Sequence, residues 1–135
     1  MPKNDLITGT GRRKTAVARV FLYKKPGKVL INDKSPEDYF VDMPFDKQIW
    51  KRPFNLLGIS DPTKEYDISI KVHGSGKSAQ LGAVVHGISW ALANLDEDYA
   101  ETLRSHDMLT RDSRMVERKK YWLRKARKTP QYSKR

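Results

Sequence analysis

The sequence contains no cysteine and no long apolar run, and both absences narrow the possible functions. Without cysteine there are no disulfide bonds, thiolate zinc sites or cysteine nucleophiles. No stretch approaches the roughly 20 apolar residues of a membrane-spanning helix, and the first ten residues lack the apolar core of a signal peptide. With 135 residues, 38% of them hydrophobic, we expect one domain with a small core and no membrane partner.

Basic residues are in excess, and they are concentrated at the two ends of the chain. The 27 Lys and Arg residues outnumber the 16 Asp and Glu residues, which gives a formal charge of +11 and a pI near 9.9. Residues 110–135 carry a net charge of +9, residues 1–28 carry +7, and residues 29–109 carry −5. This segregation is typical of an anion-binding face with a cationic arm, whose partner is most often nucleic acid and less often an acidic membrane or protein.

Local patterns predict strands in four segments. β-Branched and aromatic residues favour strands over residues 6–10, 15–23 and 29–31, and the turn residues 24–27 predict that the last two strands pair as a hairpin. Apolar and polar residues alternate over residues 66–72, which indicates a half-buried fourth strand. With the helices described next, these strands predict an α+β fold.

Two short helical segments are expected between the third and fourth strands. Ser35 at the N-cap with Pro36 at the first helical position predicts a short helix to about residue 40. Pro44 opens a second helical segment, which Pro53 is expected to interrupt because proline lacks the N–H group. A further turn over residues 54–57 would be stopped by Gly58.

The longest predicted helix spans residues 78–95. Leu81, Val84, Val85, Ile88 and Leu92 form a single apolar stripe at helical spacing. Small residues beside that stripe would allow the helix to lie close to a sheet: Ala79, Gly82, Ala83, Gly87 and Ala91. A last short helix is predicted over residues 97–103.

A phosphate-binding P-loop is an alternative that the sequence suggests only in part. Gly76-Lys77-Ser78 follows a strand and opens a helix, but the motif requires another glycine at the position of Lys71, inside the alternating strand. Two other interpretations are a glycine-rich turn that relieves backbone crowding and a helix N-terminus that holds a nucleic-acid phosphate with Lys77.

No catalytic centre or metal site is evident in the sequence. His73, His86 and His106 lack the spacing of metal ligands, and no pair of carboxylates stands out as an acid and base. We therefore expect no enzyme activity, no metal and no cofactor, and interpret each histidine as a hydrogen-bonded or surface residue.

The two basic ends have the residue types of nucleic-acid contacts. Arg12-Arg13-Lys14 follows Gly9 and Gly11, which would let the chain turn tightly and present three cations together. Residues 118–128 interleave cations with Tyr121 and Trp122, which can stack on bases or pack on the body. Because residues beyond 108 have little apolar surface to bury, the tail is expected to be disordered alone, and such arms suit folded RNA better than a DNA groove.

Three long segments resemble the family of the ninth protein of the small ribosomal subunit, in its bacterial form. The first is Thr8-Gly9-Thr10-Gly11-Arg12-Arg13-Lys14-Thr15, followed by Ala18-Arg19-Val20. The second is the glycine-rich stretch 74–92, which includes Gln80, Ala83, His86 and Gly87. The third is the basic block 110–120 with its continuation 123–135.

The resemblance implies a two-layer ribosomal-protein fold, with a sheet of about four strands, helices on one face, a body over residues 1–109 and an extended basic tail over 110–135. It implies a cytoplasmic protein of the ribosome that contacts ribosomal RNA of the subunit head and neighbouring head proteins. Expected contacts with transfer RNA in the peptidyl site are Ser133, Lys134 and Arg135. Expected contacts with ribosomal RNA are Arg12, Arg13, Lys14, Lys77, Arg111, Arg114, Arg118, Lys119, Lys120, Arg124, Lys125, Arg127 and Lys128.

Three positions depart from the pattern of the family. Ser75 replaces the middle residue of a usual glycine triplet, and Val85 and Trp90 stand where the family tends to carry basic residues. The helix is therefore expected to contribute fewer ionic RNA contacts than in relatives. The alternatives to a structural ribosomal protein are a P-loop-like nucleotide enzyme and a general RNA chaperone.

Overall fold

One mixed sheet and a layer of helices make up the described part of the protein. The computed structural model describes residues 6–40, 49–59 and 61–111. The strands are β1 (Leu6–Arg13), β2 (Ala16–Tyr23), β3 (Val29–Ile31) and β4 (Asp67–His73). The α-helices within these ranges are α1 (Pro36–Tyr39), α2 (Arg52–Leu56), α3 (Lys77–Leu95) and α4 (Glu97–Ser105). The predicted α+β class is confirmed, while the division at residue 110 and the disorder of the tail stay predictions.

The sheet has the strand order β1-β2-β4-β3, and the predicted hairpin between the second and third strands is wrong. β2 pairs antiparallel with β1 on one edge and with β4 on the other, so neither edge is left for β3. β3 instead pairs parallel with the far edge of β4, where Val29 and Ile31 lie opposite Ile68 and Ile70. A parallel pair needs a long crossover connection, which residues 32–66 provide.

Side chains of the sheet alternate between a buried face and an open face. In β2 and β4 the buried positions are apolar, from Ala16 to Leu22 and from Ile68 to Val72, and α3 packs on this side. Phe40, Phe54 and Leu103 are fully buried and complete the core. The open face consists of the alternate strand positions, which are exposed or half-buried: Leu6, Thr8, Thr10, Arg12, Val17, Arg19, Phe21, Tyr23, Leu30, Asp67, Ser69, Lys71 and His73.

Gly9 and Gly11 serve a close contact with α3 and do not form the turn expected from the sequence. β1 runs through both residues to Arg13. A Cβ atom at Gly11 would overlap the carbonyl oxygen of Ala83 and lie 2.8 Å from the Cα of Gly87. A Cβ atom at Gly9 would lie 2.5 Å from the backbone nitrogen of Ala91. The predicted close packing of small residues on a sheet is thus confirmed for Ala83, Gly87 and Ala91, which meet Gly9 and Gly11 of β1.

Pro53 begins a helix and does not interrupt one, so that prediction is wrong. It lies in the first turn of α2, where the first N–H groups of a helix have no intrahelical acceptor and proline is tolerated. A 3₁₀ turn over Ile49–Lys51 precedes it. The stop at Gly58 is confirmed by its left-handed backbone, with a φ of 79°. Pro44, the predicted start of this segment, lies outside the described residues.

The remaining helix starts agree with the sequence. The Ser35 hydroxyl accepts a hydrogen bond from the Asp38 N–H at 3.2 Å, as the N-cap signal predicts. The Asp96 carboxylate accepts from the Asp98 N–H at 3.1 Å at the start of α4. Both helices lie within one or two residues of the predicted ranges, because capping is a local interaction that the sequence specifies directly.

The contact between Gly11 and α3 predicts a destabilising substitution. Gly11→Ala should lower the free energy of unfolding by about 2–3 kcal/mol, because the added methyl group forces strand and helix backbones apart. Chemical denaturation followed by circular dichroism measures this change. Gly76→Ala is the matched control, since a Cβ atom there meets no atom within 4 Å. Equal stability of the two variants would contradict the prediction.

Candidate nucleic-acid interface

The predicted cations Arg12, Arg13 and Lys14 lie at one end of the sheet, but the strand divides them between its faces. Arg13 pairs with Ala16, so Lys14 and Thr15 form the turn between β1 and β2. By the alternation of β1, the Arg12 side chain belongs to the open face and that of Arg13 to the helix side. The three residues therefore share an end of the molecule without forming one cluster.

Gly82 of α3 makes room for the side chain of Arg13. A Cβ atom at Gly82 would lie 2.5 Å from the Cδ of Arg13 and 3.3 Å from one of its guanidinium nitrogens. The half-buried Arg13 side chain therefore crosses the surface of the helix. Gly82, which the sequence suggested as a sheet-packing residue, accommodates an arginine instead.

Arg111 connects the start of the basic tail to the hairpin turn. Its guanidinium group donates a hydrogen bond of 3.2 Å to the carbonyl oxygen of Lys14. Lys14 is exposed and has a φ of 52°, in the left-handed region that favours glycine. Residues that are 97 positions apart in the sequence, each predicted to contact RNA, thus meet at this turn.

His86 of α3 joins the backbone of β1 to the segment after α4. Its Nδ1 atom accepts from the Arg12 N–H at 3.2 Å, so Nδ1 carries no proton. In the neutral tautomer that remains, Nε2–H donates to the Leu109 carbonyl oxygen at 3.0 Å. The Trp90 Nε1–H lies 3.0 Å from the same Nε2 atom, which cannot accept while it is protonated. The prediction of a hydrogen-bonded histidine is confirmed for His86.

The turn between β1 and β2, with the cations around it, forms the hairpin end of the sheet. A shallow cleft of about 190 Å³ lies beside it. Arg13 and Arg52 supply its cations, Arg12 borders it from β1, and Asp107 is the one carboxylate among its lining residues. Its other lining residues are mostly apolar or small: Ile49, Gly82, Val85, His86, Met108 and Thr110. The cleft combines positive charge with apolar surface, as sites for the backbone and bases of nucleic acids do.

Arg52 is a candidate that sequence reasoning missed. It follows Lys51 within residues 29–109, which carry a net charge of −5, and no local pattern marks it as a binding residue. It comes to the cleft because α2 is packed against α3 by the buried residue Phe54. Only the tertiary packing brings this cation to the cleft beside Arg13.

Lys77 lies at the first residue of α3 and is held by Tyr39. Its ammonium group donates to the Tyr39 carbonyl oxygen at 3.0 Å and lies 3.5 Å from the centre of the Tyr39 ring. The Tyr39 hydroxyl group donates in turn to Gln80 at 2.6 Å. An ammonium group has three donors, so Lys77 keeps capacity for a phosphate, and its predicted RNA contact stays a prediction.

The loop between β4 and α3 is too short to surround a phosphate group in the manner of a P-loop. It consists of Gly74, Ser75 and Gly76, and Lys71 lies within β4 as the sequence predicts. Gly74 has a φ of 86°, and a Cβ atom there would lie 2.6 Å from the Thr15 carbonyl oxygen. Ser75 has a φ of 51° and occupies a left-handed position that favours glycine.

The other two departures from the family pattern lie on the exposed side of α3. Val85 is half-buried and lines the cleft. Trp90 is 39% exposed, and its ring meets the His86 ring edge-on with 6.4 Å between the centroids. The expectation that this helix makes fewer ionic contacts with RNA than in relatives stays a prediction.

The remaining predicted contacts lie beyond the described residues. They are Arg114, Arg118, Lys119, Lys120, Arg124, Lys125, Arg127, Lys128, Ser133, Lys134 and Arg135. Within the described ranges, no cluster of His, Asp and Glu is arranged to hold a metal ion. A membrane crossing would need a longer and more apolar helix than any found in those ranges.

Comparison with known proteins agrees with the resemblance. A family model described as ribosomal protein S9/S16 matches residues 11–135. The small ribosomal subunit protein uS9 of a Picosynechococcus species is 48% identical over 127 residues, which cover 94% of this chain and 90% of that protein. The protein of the same name from Pseudothermotoga lettingae is 46% identical, and the match covers all of both chains. The protein uS9c of Gracilaria tenuistipitata is 45% identical, and the match covers 100% of this chain and 98% of that protein. This chain therefore belongs to the ribosomal protein S9/S16 family.

Proposed function

We propose that this protein is a structural constituent of the small ribosomal subunit, binds ribosomal RNA in the subunit head through the hairpin end, and reaches peptidyl-site transfer RNA with its tail. The observation that carries this proposal is the hydrogen bond from Arg111 to the Lys14 carbonyl oxygen. Because of this contact, the basic tail begins at the turn that bears the other cations. A single RNA surface can then contact both the turn and the start of the tail.

The charges at the hairpin end suit a phosphate backbone. Arg12, Arg13, Lys14, Arg52 and Arg111 lie around the turn and the cleft beside it. Guanidinium groups bind phosphate oxygens in a forked, bidentate manner, and lysine adds a flexible point charge. Together with tail cations, contacts to about 6–10 phosphates would make RNA affinity fall steeply with salt.

The tail has the length and charge to reach a second RNA. About 25 residues in extended form span up to roughly 80 Å, and residues 110–135 carry a net charge of +9. The RNA of the head is the proposed partner of Lys77 and of the tail cations Arg114, Arg118, Lys119, Lys120, Arg124, Lys125, Arg127 and Lys128. Ser133, Lys134 and Arg135 at the tip are proposed to touch transfer RNA, and neighbouring head proteins are the other partners.

A general RNA chaperone is the remaining alternative. It would bind unrelated RNAs with similar affinity, whereas the proposal requires a preferred site in the subunit head. A P-loop-like enzyme has less support, because the three residues between β4 and α3 leave little backbone to cradle a nucleotide.

Co-sedimentation tests the proposal directly. The protein should sediment with small subunits in moderate salt, and Arg52→Ala with Arg111→Ala should release it at lower salt, since each lost phosphate contact reduces the salt slope by about one. Lys64→Ala with Arg104→Ala is the matched control, because it removes two exposed cations elsewhere. Recovery of the wild-type protein only in the soluble pool would contradict the proposal.

Substitution of Lys14 should separate binding from stability. Lys14→Gly relieves a left-handed backbone and should raise the free energy of unfolding by about 1 kcal/mol relative to Lys14→Ala, which keeps the unfavourable φ. Both variants lose the charge and should weaken binding to head RNA equally. Thermal unfolding and filter binding measure the two effects. Binding that recovers in Lys14→Gly would show that the charge of Lys14 is not used.

Shortening the tail should give two distinct defects. Removal of residues 133–135 should leave subunit assembly intact but weaken retention of transfer RNA in the peptidyl site, because the cationic tip is lost. Removal of residues 111–135 should also weaken binding to head RNA. The charge-preserving pair Lys134→Arg and Arg135→Lys is the control for the tip, and unchanged retention without residues 133–135 would count against its role.

A further inference from the structure

The open face of the sheet has a composition typical of a binding surface. The contacts proposed for the hairpin end leave most of this face unused. We propose that it binds an unpaired RNA strand, with phosphates on Arg12, Arg19 and Lys71 and a base on Phe21. This inference rests on the proposed function, since it names a second RNA-binding surface of the same protein. It is carried by three observations on the open face: adjacent cations, a central aromatic ring and flanking hydroxyl groups.

Two cations of the open face lie side by side without an anion between them. Arg19 of β2 is directly opposite Lys71 of β4, and both side chains are exposed. Like charges directly opposite one another destabilise a sheet. The one carboxylate on the four strands is Asp67. On the open face, the pair of Ser69 and Phe21 lies between Asp67 and Lys71. An external anion would remove the repulsion between Arg19 and Lys71.

Asp67 is engaged elsewhere and does not neutralise this pair. Its carboxylate lies 3.9 Å from the ammonium group of Lys25 and accepts from the Lys28 N–H at 3.3 Å. Neither Arg19 nor Lys71 forms an ion pair with another residue of the described ranges. The positive charge of the open face is therefore available to a ligand.

Phe21 presents an aromatic ring beside these cations. It lies on the central strand β2, between Thr8 of β1 and Ser69 of β4, in the row next to Arg19 and Lys71. Its side chain is only half-buried although the buried face of the same strand is fully enclosed. Adjacent rows of one face are about 7 Å apart along a strand, so a base on Phe21 would put its phosphate over the cations.

These features favour RNA over an acidic protein segment and over a duplex. Cations alone would serve an acidic peptide, but a half-buried ring between small hydroxyl residues is a stacking platform with donors for base edges and 2′-hydroxyl groups. Bases in a duplex are already stacked and cannot lie flat on Phe21. Arg12 lies on the same face at the hairpin end, which makes the surface continuous with the proposed ribosomal RNA site.

A cross-link from the centre of the open face tests the inference. The chain has no cysteine, so Ser69→Cys can carry a short photoreactive group at a single position, in small subunits reconstituted with the full chain. We expect a cross-link to unpaired nucleotides of the ribosomal RNA, while Glu101→Cys on α4, in the opposite layer, defines the background. A cross-link to a protein, or none in subunits that retain the chain, would overturn the inference without touching the proposed function.

A binding measurement gives an independent reading. For a 12-nucleotide single-stranded RNA of mixed sequence, Phe21→Leu should weaken binding about tenfold, and Phe21→Tyr should not, because the second variant keeps the stacking ring. Arg19→Gln with Lys71→Gln should weaken binding and lower its salt dependence, whereas Lys64→Gln with Arg104→Gln should not. Undiminished affinity in folded Phe21→Leu and Arg19→Gln/Lys71→Gln proteins would overturn the inference.

Discussion

The direct contact between the backbones of β1 and α3 is the constraint on which the placement of the cations at the hairpin end depends. Gly9 and Gly11 leave no side-chain layer between strand and helix, and Gly87 faces them from α3, where a Cβ atom would lie 2.9 Å from a methyl carbon of Val20. At such a short separation, helix residues meet the strand itself. The contact therefore sets the distance between β1 and α3 for the residues that follow along both elements.

Three contacts of the interface follow from that spacing. The Arg13 side chain can cross α3 only because Gly82, the residue before Ala83 of the contact, has no side chain in its path. His86 accepts from the Arg12 N–H, which a more distant helix could not reach. The same histidine meets Leu109, and two residues later Arg111 donates to Lys14. The start of the tail is therefore connected to the hairpin through α3. A substitution at Gly11 would shift the positions of the cations.

Much of the fold could be predicted from local patterns, and the failures have a common cause. The cap at Ser35 and the alternation of β4 depend on neighbours in the sequence. The pairing of β3 depends instead on competition for the edges of β2, which no local pattern records. Pro53 is compatible with both the interruption and the start of a helix, and its surroundings decide between the two.

The sequence alone determined that the proposed partner is nucleic acid. An acidic middle between two basic ends, and three segments typical of a small-subunit ribosomal family, are properties of residue order and need no tertiary structure. Tertiary structure decided which cations share a surface. The pleat of β1 separates Arg12 from its neighbour Arg13, and packing of α2 brings in Arg52 from a segment without a signal. The physical reason is that side-chain direction follows from the strand and the layer packed against it, whereas net charge is independent of both.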